Sequence, residues 1–167
     1  MCFDQVDYLC SMVFRKILFY ALIFTLFGCK QEIGLFQKLV FLPEQSWSYS
    51  NKPNFKFQIP DTTSSYRVFF ILRHTDAYEY SNIWITLSSK LPGDSNSRSE
   101  RFNIPLANET QWLGTGMDDI FDHRILLYPQ PVRFKKPGEY AIELGQDMRV
   151  DPLPHVMNVG LRLEKVN

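Results

Sequence analysis

The sequence predicts an all-β fold, a single antiparallel β-sandwich of roughly seven or eight strands. Three observations favour this class. From about residue 55 onward, apolar and polar residues alternate with a period of two. The alternating segments are short and are separated by clusters of Pro, Gly, Asn and Asp. No window carries a long apolar stripe at helical spacing, and 108–119 has room for one short turn only. The pattern fits a jelly-roll-like and an immunoglobulin-like topology equally well.

The predicted strands follow one another along the chain. The first alternates Phe55, Phe57 and Ile59 with polar neighbours, and the segment 60–65 is rich in turn residues. The next segment, 66–72, is apolar on both faces, which is typical of a central strand. The alternating apolar residues of the later strands are Ile83, Ile85 and Leu87; Phe102, Ile104 and Leu106, after a hairpin tip at 92–97; Tyr140, Ile142 and Leu144; and Val159, Leu161 and Leu163.

Residues 1–28 have the layout of a secretory signal peptide. A positive pair at residues 15 and 16 precedes an apolar run, 17–27, that is too short to span a membrane. Gly28 is small enough to precede a cleavage site, and Cys29 follows it directly. The thiolate of this cysteine can carry a diacylglycerol, and cleavage frees its amino group for further acylation. We therefore predict signal-peptide cleavage between Gly28 and Cys29 and lipidation of Cys29.

The first eleven residues fit this leader poorly. Asp4 and Asp7 offset the positive charge that orients a signal peptide. A start at Met12 gives a conventional leader, in which a short basic segment is followed directly by the apolar run. We therefore interpret residues 1–11 as an over-extended start.

The predicted organisation has three parts: a signal peptide (1–28), a lipidated N-terminus and lead-in segment (29–50), and a β-sandwich domain (51–167). The chain has 18 basic and 18 acidic residues. This neutrality argues against nucleic-acid binding and gives no polybasic attraction to lipid headgroups, so the acyl anchor alone must hold the membrane. Once Cys29 is modified, the mature chain has no cysteine for an internal disulfide. Its 14 Phe, 8 Tyr and 3 Trp supply material for a core.

The densest polar cluster is the segment 112–123. It lacks the lysine of a phosphate-binding loop, and no strand–loop–helix unit surrounds it. Asp118, Asp119, Asp122 and His123 could offer ligands to a metal, but their spacing matches neither an EF-hand nor a zinc-hydrolase motif. A tight loop, with glycines at positive φ and aspartates capping backbone amides, accounts for it better. The candidate residues of this interaction or structural loop are Trp112, Gly114, Asp119 and Asp122.

A second polar cluster occupies the segment 145–154. Arg149 lies two residues from both Asp147 and Asp151, which makes a partly buried ion pair plausible. Prolines at 152 and 154 stiffen the chain beyond it. The cluster is either a protein-recognition surface or a corner that fixes the geometry of the sandwich, and Arg149 and Asp151 are its candidate residues.

Catalysis has little support in the sequence. The nucleophile motif GxSxG is absent, and no carboxylate pair is marked out for glycoside hydrolysis. None of His74, His123 and His155 lies near a serine or cysteine in a triad signature. We predict no catalytic residue, no metal site and no cofactor.

Three aromatic residues offer an alternative function. Tyr78, Tyr80 and Trp84 follow a polar segment at 73–76, and aromatic faces can stack on sugars. This pattern permits a glycan-binding surface lipoprotein of the β-sandwich type, although aromatic residues at a rim or interface explain it equally well.

Several segments, taken together and in order, resemble the GldH family of gliding-motility lipoproteins from Bacteroidetes. The resemblance covers essentially the whole mature chain, and it departs from the family at Asp118, where a glycine-like residue is expected. The segments that carry it are FKFQI at 55–59 with DTTSSY at 61–66, WLG at 112–114 with DIFD at 119–122, RF at 133–134 with PGEY at 137–140, MR at 148–149 with DPLP at 151–154, and VGLR at 159–162.

The resemblance implies a non-enzymatic lipoprotein that is needed for gliding over surfaces. It also implies partners among other gliding-motility lipoproteins and the envelope proteins of the secretion system coupled to motility. The residue after the predicted lipidated cysteine is Lys30 and not an aspartate, and in this respect the chain resembles lipoproteins that are sent to the outer membrane. The leaflet is left open.

Overall fold

The computed structural model describes residues 36–166 of the chain. The predicted leader, the start at 1–11 and the residues Gly28 and Cys29 lie outside this range. The described residues form no α-helix and twelve strands: β1 (Phe36–Phe41), β2 (Ser46–Trp47), β3 (Asn54–Ile59), β4 (Ser65–Thr75), β5 (Asn82–Lys90), β6 (Ser97–Pro105), β7 (Thr115–Met117), β8 (Ile120–Leu126), β9 (Val132–Arg133), β10 (Gly138–Gln146), β11 (Leu153–Pro154) and β12 (Val156–Val166).

The strands form two main antiparallel sheets. The six-stranded sheet has the order β1-β12-β4-β8-β7, and β9 also pairs with β4. The four-stranded sheet has the order β3-β10-β5-β6, and β2 forms a separate short ladder with β11. The two longest strands, β4 and β12, are neighbours in the middle of the six-stranded sheet, with register partners such as Leu161 and Phe70. The segment 66–72 is therefore central, as its double apolar character predicts.

Both sheets bury one face in the same core. In β4 the even-numbered residues from Tyr66 to His74 are buried, whereas the intervening residues are exposed or half-buried. In β3 the buried residues are the predicted Phe55, Phe57 and Ile59. The two sheets meet across this core, for example where the rings of Phe36 and Phe57 lie 5.4 Å apart. Two apolar sheet faces packed on each other is the arrangement typical of a β-sandwich.

The N-terminal edge of the folded unit lies earlier than residue 51, where we placed the start of the sandwich. β1 pairs with β12 along its whole length, from Phe36 opposite Leu163 to Phe41 opposite Asn158. Trp47 of β2 is fully buried. The part of the lead-in from residue 36 onward therefore contributes strands and core. The apolar residues of the lead-in segment are too few and too irregularly spaced to predict a strand from the sequence alone.

Eight of the twelve strands are six residues or longer, and the other four have two or three residues each. The four short strands are absent from the sequence prediction because two or three residues cannot display a period. The predicted hairpin tip at 92–97 does join two paired strands, with Lys90 opposite Ser97. At the predicted turn 60–65, the carboxylate of Asp61 accepts hydrogen bonds from the backbone N–H groups of Thr63 and Ser64, at 2.9 and 3.0 Å. Together with the Thr63 hydroxyl, these bonds hold the pKa of Asp61 well below its usual range.

Within residues 36–166 there is no helix of the length and apolar character that a membrane crossing requires.

Candidate functional site

The loop that the sequence singles out lies across one end of the six-stranded sheet. β7 pairs with β8, so that Thr115 faces Asp122 and Met117 faces Ile120. The start of the loop is tied to the other sheet by the N–H of Leu113, which donates to the carbonyl oxygen of Leu106 at 2.8 Å. The loop therefore connects the edge of one sheet to the strand that leaves the other.

The glycines of this loop allow close contact, and neither of them adopts the positive φ that we expected. A Cβ at Gly114 would lie 2.6 Å from the carbonyl oxygen of Asp122 and 2.8 Å from Nε2 of His123. A Cβ at Gly116 would lie 2.6 Å from the ring of Phe121. The left-handed position is Asp118, with a φ of 55°. A glycine-like residue is expected there from the family pattern, and aspartate is one of the few other residues that tolerate this conformation.

Two histidines lie beneath the loop. His74 and His123 are buried on the inner faces of β4 and β8, and their Nε2 atoms are 2.9 Å apart. The Nδ1 atom of His74 is 2.7 Å from the carbonyl oxygen of Thr75, which can only accept a hydrogen bond. His74 therefore carries its proton on Nδ1, and His123 donates from Nε2 to the unprotonated Nε2 of His74. Both rings are neutral in this arrangement.

Burial opposes protonation of both rings. It lowers the pKa of His74 below its ordinary value, although the hydrogen bond to Thr75 acts in the other direction. The pKa of His123 is lowered to about 4, first by burial and then by the nearby His74, while the carboxylate of Asp122 raises it slightly. The pair is consequently uncharged at neutral pH, so two polar side chains can be buried in the core without burying a charge.

Aromatic rings surround His74. The ring centroid of His74 is 4.5 Å from that of Trp112, 5.1 Å from that of Tyr78 and 5.7 Å from that of Phe121. Trp112 therefore acts as a cover that packs on the histidine from the loop. Sequence reasoning missed this cluster because it treated each histidine alone. The signal was present in the alternation of β4, which places His74 on the same face as the apolar residues before it.

The aspartates of the loop do not cap backbone amides as we predicted. Asp122 forms a two-pronged ion pair with Arg73 on the outer face of the sheet, with both N–O distances at 2.7 Å. This contact raises the pKa of Arg73. Asp119 participates through its backbone, because its carbonyl oxygen accepts the N–H of Asp76 at 2.7 Å. Within residues 36–166, no three His, Cys, Asp or Glu side chains are grouped so that they could hold a metal ion.

Above the histidines, the outer face of the six-stranded sheet carries a groove with a volume of about 640 Å³. We call it the outer groove. Its walls combine apolar and charged side chains from four strands of this sheet, the end of β6 and the loop, including Leu39, Ile71, Arg73, Leu113, Arg124 and Arg162. Glu164 accepts hydrogen bonds from both Arg124 and Arg162 at 2.6 Å. The arginines are thus held flat along the sheet, with apolar surface between them. Such a surface can bind another molecule, and its arginines favour acidic groups.

The predicted ion pair around Arg149 is absent from the described residues. Arg149 is exposed, Asp147 instead pairs with Arg101, and Asp151 accepts the backbone N–H of Tyr49 at 2.7 Å. The corner is held by an amide that we did not consider. Buried Gln146 donates to the carbonyl oxygen of Val150 at 3.0 Å. Its oxygen also accepts the N–H of the residue at position 148 at 2.8 Å. Sequence proximity misled here, since the chain bends at 148–152 and the neighbouring charged residues reach different partners.

This corner belongs to a different ladder from the histidine loop. Its strand β11 pairs with β2, whereas β7 of the loop pairs with β8. The structure therefore brings Trp112, Gly114 and Asp122 together around the histidine pair and places Arg149 and Asp151 elsewhere.

The proposed sugar platform does not form from the three aromatic residues. Tyr78 is only 3% exposed and its hydroxyl donates to the carbonyl oxygen of Asn82 at 3.1 Å. Burial, with a smaller contribution from Tyr80, raises the pKa of Tyr78. The guanidinium of Arg101 lies 4.1 Å from the ring centre of Trp84. A buried tyrosine and an indole already covered by arginine cannot both stack on one sugar chain.

The close contact at Gly114 leads to a testable expectation. We expect Gly114→Ala to lower the free energy of unfolding by about 1–3 kcal/mol, because the added methyl group must displace the backbone of β8 or the imidazole of His123. Gly145→Ala is the matched control, since its nearest neighbour would be Lys52 at an ordinary 3.8 Å. Urea denaturation of both variants measures the difference. Equal stabilities would show that the loop accommodates the added methyl group with no loss in the free energy of unfolding.

Comparison with known proteins adds an independent line of evidence. The family model described as GldH lipoprotein matches residues 35–163. A gliding motility lipoprotein GldH homolog of Christiangramia forsetii is 29% identical over 127 residues, covering 71% of this chain and 77% of that protein. The gliding motility lipoprotein GldH of Flavobacterium johnsoniae is 25% identical over 128 residues, covering 72% of this chain and 78% of that protein.

Among solved structures, a dimeric latent PorU from Porphyromonas gingivalis is similar at 14% identity and a TM-score of 0.35, covering 84% of this chain and 14% of that one. This likeness is too weak to support any conclusion on fold or function. The family match, by contrast, runs from the first described strand into the last one, and the chain belongs to the GldH lipoprotein family.

Proposed function

We propose that the chain is a lipid-anchored, non-catalytic binding component of the gliding-motility apparatus in the cell envelope, held at the outer membrane. The observation that carries this proposal is the family match over residues 35–163. Two relatives, each matched over most of its own length, carry the name gliding motility lipoprotein. The proposed partners are other gliding-motility lipoproteins and the envelope proteins of the motility-linked secretion machinery.

The anchor is proposed at Cys29. Six residues separate it from Phe36, the first described residue, and the seven Cα–Cα steps between them reach ~25 Å at most. Two or more acyl chains hold a protein at a bilayer far better than one does. An anchor this close to the domain raises the local concentration of the domain around membrane-bound partners without adding a new contact.

The outer groove is the proposed contact surface. Its exposed apolar side chains, Leu39 and Leu113, are 43% and 52% exposed, which favours burial against a partner. The arginines of the same face outnumber its acids, because Arg67, Arg73, Arg124 and Arg162 share it with Asp122 and Glu164. We therefore expect a protein segment that presents apolar and acidic side chains.

The anchor is tested with Cys29→Ala in gliding cells. We expect the variant to lose incorporation of labelled palmitate, to leave the membrane fraction and to abolish gliding, while the purified domain keeps its β-sheet circular dichroism. Gliding by cells that hold only the unlipidated variant would contradict the proposed tether.

The contact surface is tested by crosslinking in intact cells, followed by identification of the attached proteins. We expect envelope proteins of the motility machinery, and we expect their yield to fall when Leu39→Glu is introduced in the outer groove. Lys90→Glu, on the other sheet, is the control for an unrelated surface charge. Unchanged yields with Leu39→Glu would show that the contact surface is not the outer groove.

A further inference from the structure

A cleft opens between the two sheets where the six-stranded sheet is interrupted. β8 and β9 pair with successive parts of the same edge of β4. Between them the chain passes through Pro129 and Pro131, which have no N–H to donate to a ladder. The interruption leaves a cleft with a volume of about 330 Å³. This cleft is separate from the outer groove and lies on the inner side of both sheets.

The floor of the cleft is apolar and is contributed by both sheets. Val68 comes from the six-stranded sheet, and Leu87, Tyr140 and Ile142 come from the four-stranded sheet. Each of these side chains is at least 95% buried. Phe134 follows β9 and packs edge-on against Tyr140, with ring centroids 4.7 Å apart. The floor therefore offers dispersion contacts and almost no hydrogen-bonding groups.

The mouth of the cleft is charged, and part of this charge is unexpected. In β6, Ile104 points into the core, so the alternation places Glu100 and Arg98 on the same inner face. Their register partners are Leu87 and Ser89, which also line the cleft. An inner face would ordinarily carry apolar residues here. The change to charge marks the place where the six-stranded sheet no longer covers β6.

Two further cations, Arg133 and Lys135, line the cleft from the side of β9, and the register partner of Arg133 is Ser65, on the outer side of β4. Among residues 36–166, no ion pair involves either of them or Arg98. The one carboxylate at the mouth, Glu100, accepts a hydrogen bond from the hydroxyl of Tyr128 at 3.1 Å. The mouth thus carries three cationic side chains and one anionic side chain over an apolar floor.

Inward charges are also a known protection of edge strands against pairing with other chains. That role accounts for Arg98 and Glu100 on β6. It does not account for two more cations on the opposite wall, nor for the apolar space between the walls. Both features match a ligand that has one negative end and one apolar end.

We propose that this cleft binds a single-chain anionic amphiphile, with the acyl chain on the apolar floor and the negative headgroup facing Arg98 and Lys135. The volume is near the lower end of the ~300–1,000 Å³ of small-molecule pockets, which suits one chain of medium length better than a two-chain lipid. The assignment does not depend on the gliding function or on the anchor.

The charge preference is tested by isothermal titration calorimetry on the full-length Cys29→Ala chain, which has no acyl group of its own at that position. The probes are laurate, dodecyl phosphate and dodecyltrimethylammonium, all below their micelle concentrations. We expect one-to-one binding of both anions and at least tenfold weaker binding of the cation. Absence of saturable binding, or equal affinity for anion and cation, would overturn the proposal.

The location is tested with three variants in the same chain. Ser89→Trp fills the cleft and should abolish laurate binding, and Arg98→Glu combined with Lys135→Glu should weaken it at least tenfold. Lys90→Glu makes one charge reversal of the same kind on the opposite face of β5 and should leave affinity unchanged. Thermal melts confirm that each variant is folded. If the charge variant and the Lys90→Glu control bind laurate equally, the ligand is not in this cleft.

Discussion

Trp47→Ala is expected to lower the free energy of unfolding by about 3–5 kcal/mol, which is the typical cost of removing a fully buried tryptophan. Trp47 is 0% exposed, and its indole N–H donates to the carbonyl oxygen of Asn51 at 2.8 Å. Its β-bridge partner, Leu153, is fully buried as well. The substitution therefore leaves a cavity and an unpaired carbonyl at once. Since folded domains are stable by only about 5–15 kcal/mol, this loss removes a large share of the stability of the domain.

Urea denaturation followed by circular dichroism measures this effect. Phe41→Ala is the matched control, because Phe41 is also aromatic and N-terminal but is 77% exposed. We expect this control to stay within about 0.5 kcal/mol of the parent. Similar stabilities for the two variants would mean that the N-terminal strands are not part of the cooperative unit and that the domain does begin near residue 51.

The position of Trp47 also shows what the sequence could and could not predict. Long strands such as β3 and β5 repeat their alternation often enough to be recognised without a partner. β2 has two residues, and its pairing with β11 joins Trp47 to Leu153 across more than a hundred positions. Local pattern holds no information on such a contact, because the contact depends on where the two main sheets place the connecting segments.

The same reasoning applies to the candidate site. The sequence shows that the loop contains glycines, but it does not show why glycine is needed there. A side chain at these positions would collide with His123 or Phe121, and that proximity depends on the register of β8. The histidine pair arises because His74 faces Phe121 and the neighbouring Leu72 faces His123. The two imidazoles are therefore diagonal neighbours on one sheet face. Alternation could have placed each histidine inward, but only the register brings them into contact.

Acid is expected to destabilise the domain through this pair. The imidazole of His123 has a pKa of about 4 in the folded chain, and an unfolded histidine titrates near 6.5. Between these values the unfolded chain binds more protons, so the stabilisation is complete above pH 6.5 and is lost as the pH falls toward 4. The loss from His123 amounts to about 3 kcal/mol at pH 4.

The geometry explains why the fold resists this proton. A proton on Nε2 of His74 would set two N–H groups against each other across 2.9 Å. A proton on Nδ1 of His123 would place a charge on a ring that is only 3% exposed and stacks on His74, with only the carboxylate of Asp122 to favour it. Neither site offers the new cation a solvent shell, so the cost of burial remains.

The measurement compares the free energy of unfolding at pH 7 and pH 4 for the parent and for the double variant His74→Phe with His123→Leu. The carboxylates titrate in both proteins, so the difference between the two pH dependences isolates the imidazoles. We expect the parent to lose about 3 kcal/mol more than the double variant does. His155→Asn removes a histidine outside the cluster and keeps a residue that tolerates the positive φ of 66° at that position. This control should follow the parent, and a double variant that also followed the parent would show that the buried pair does not govern the response to acid.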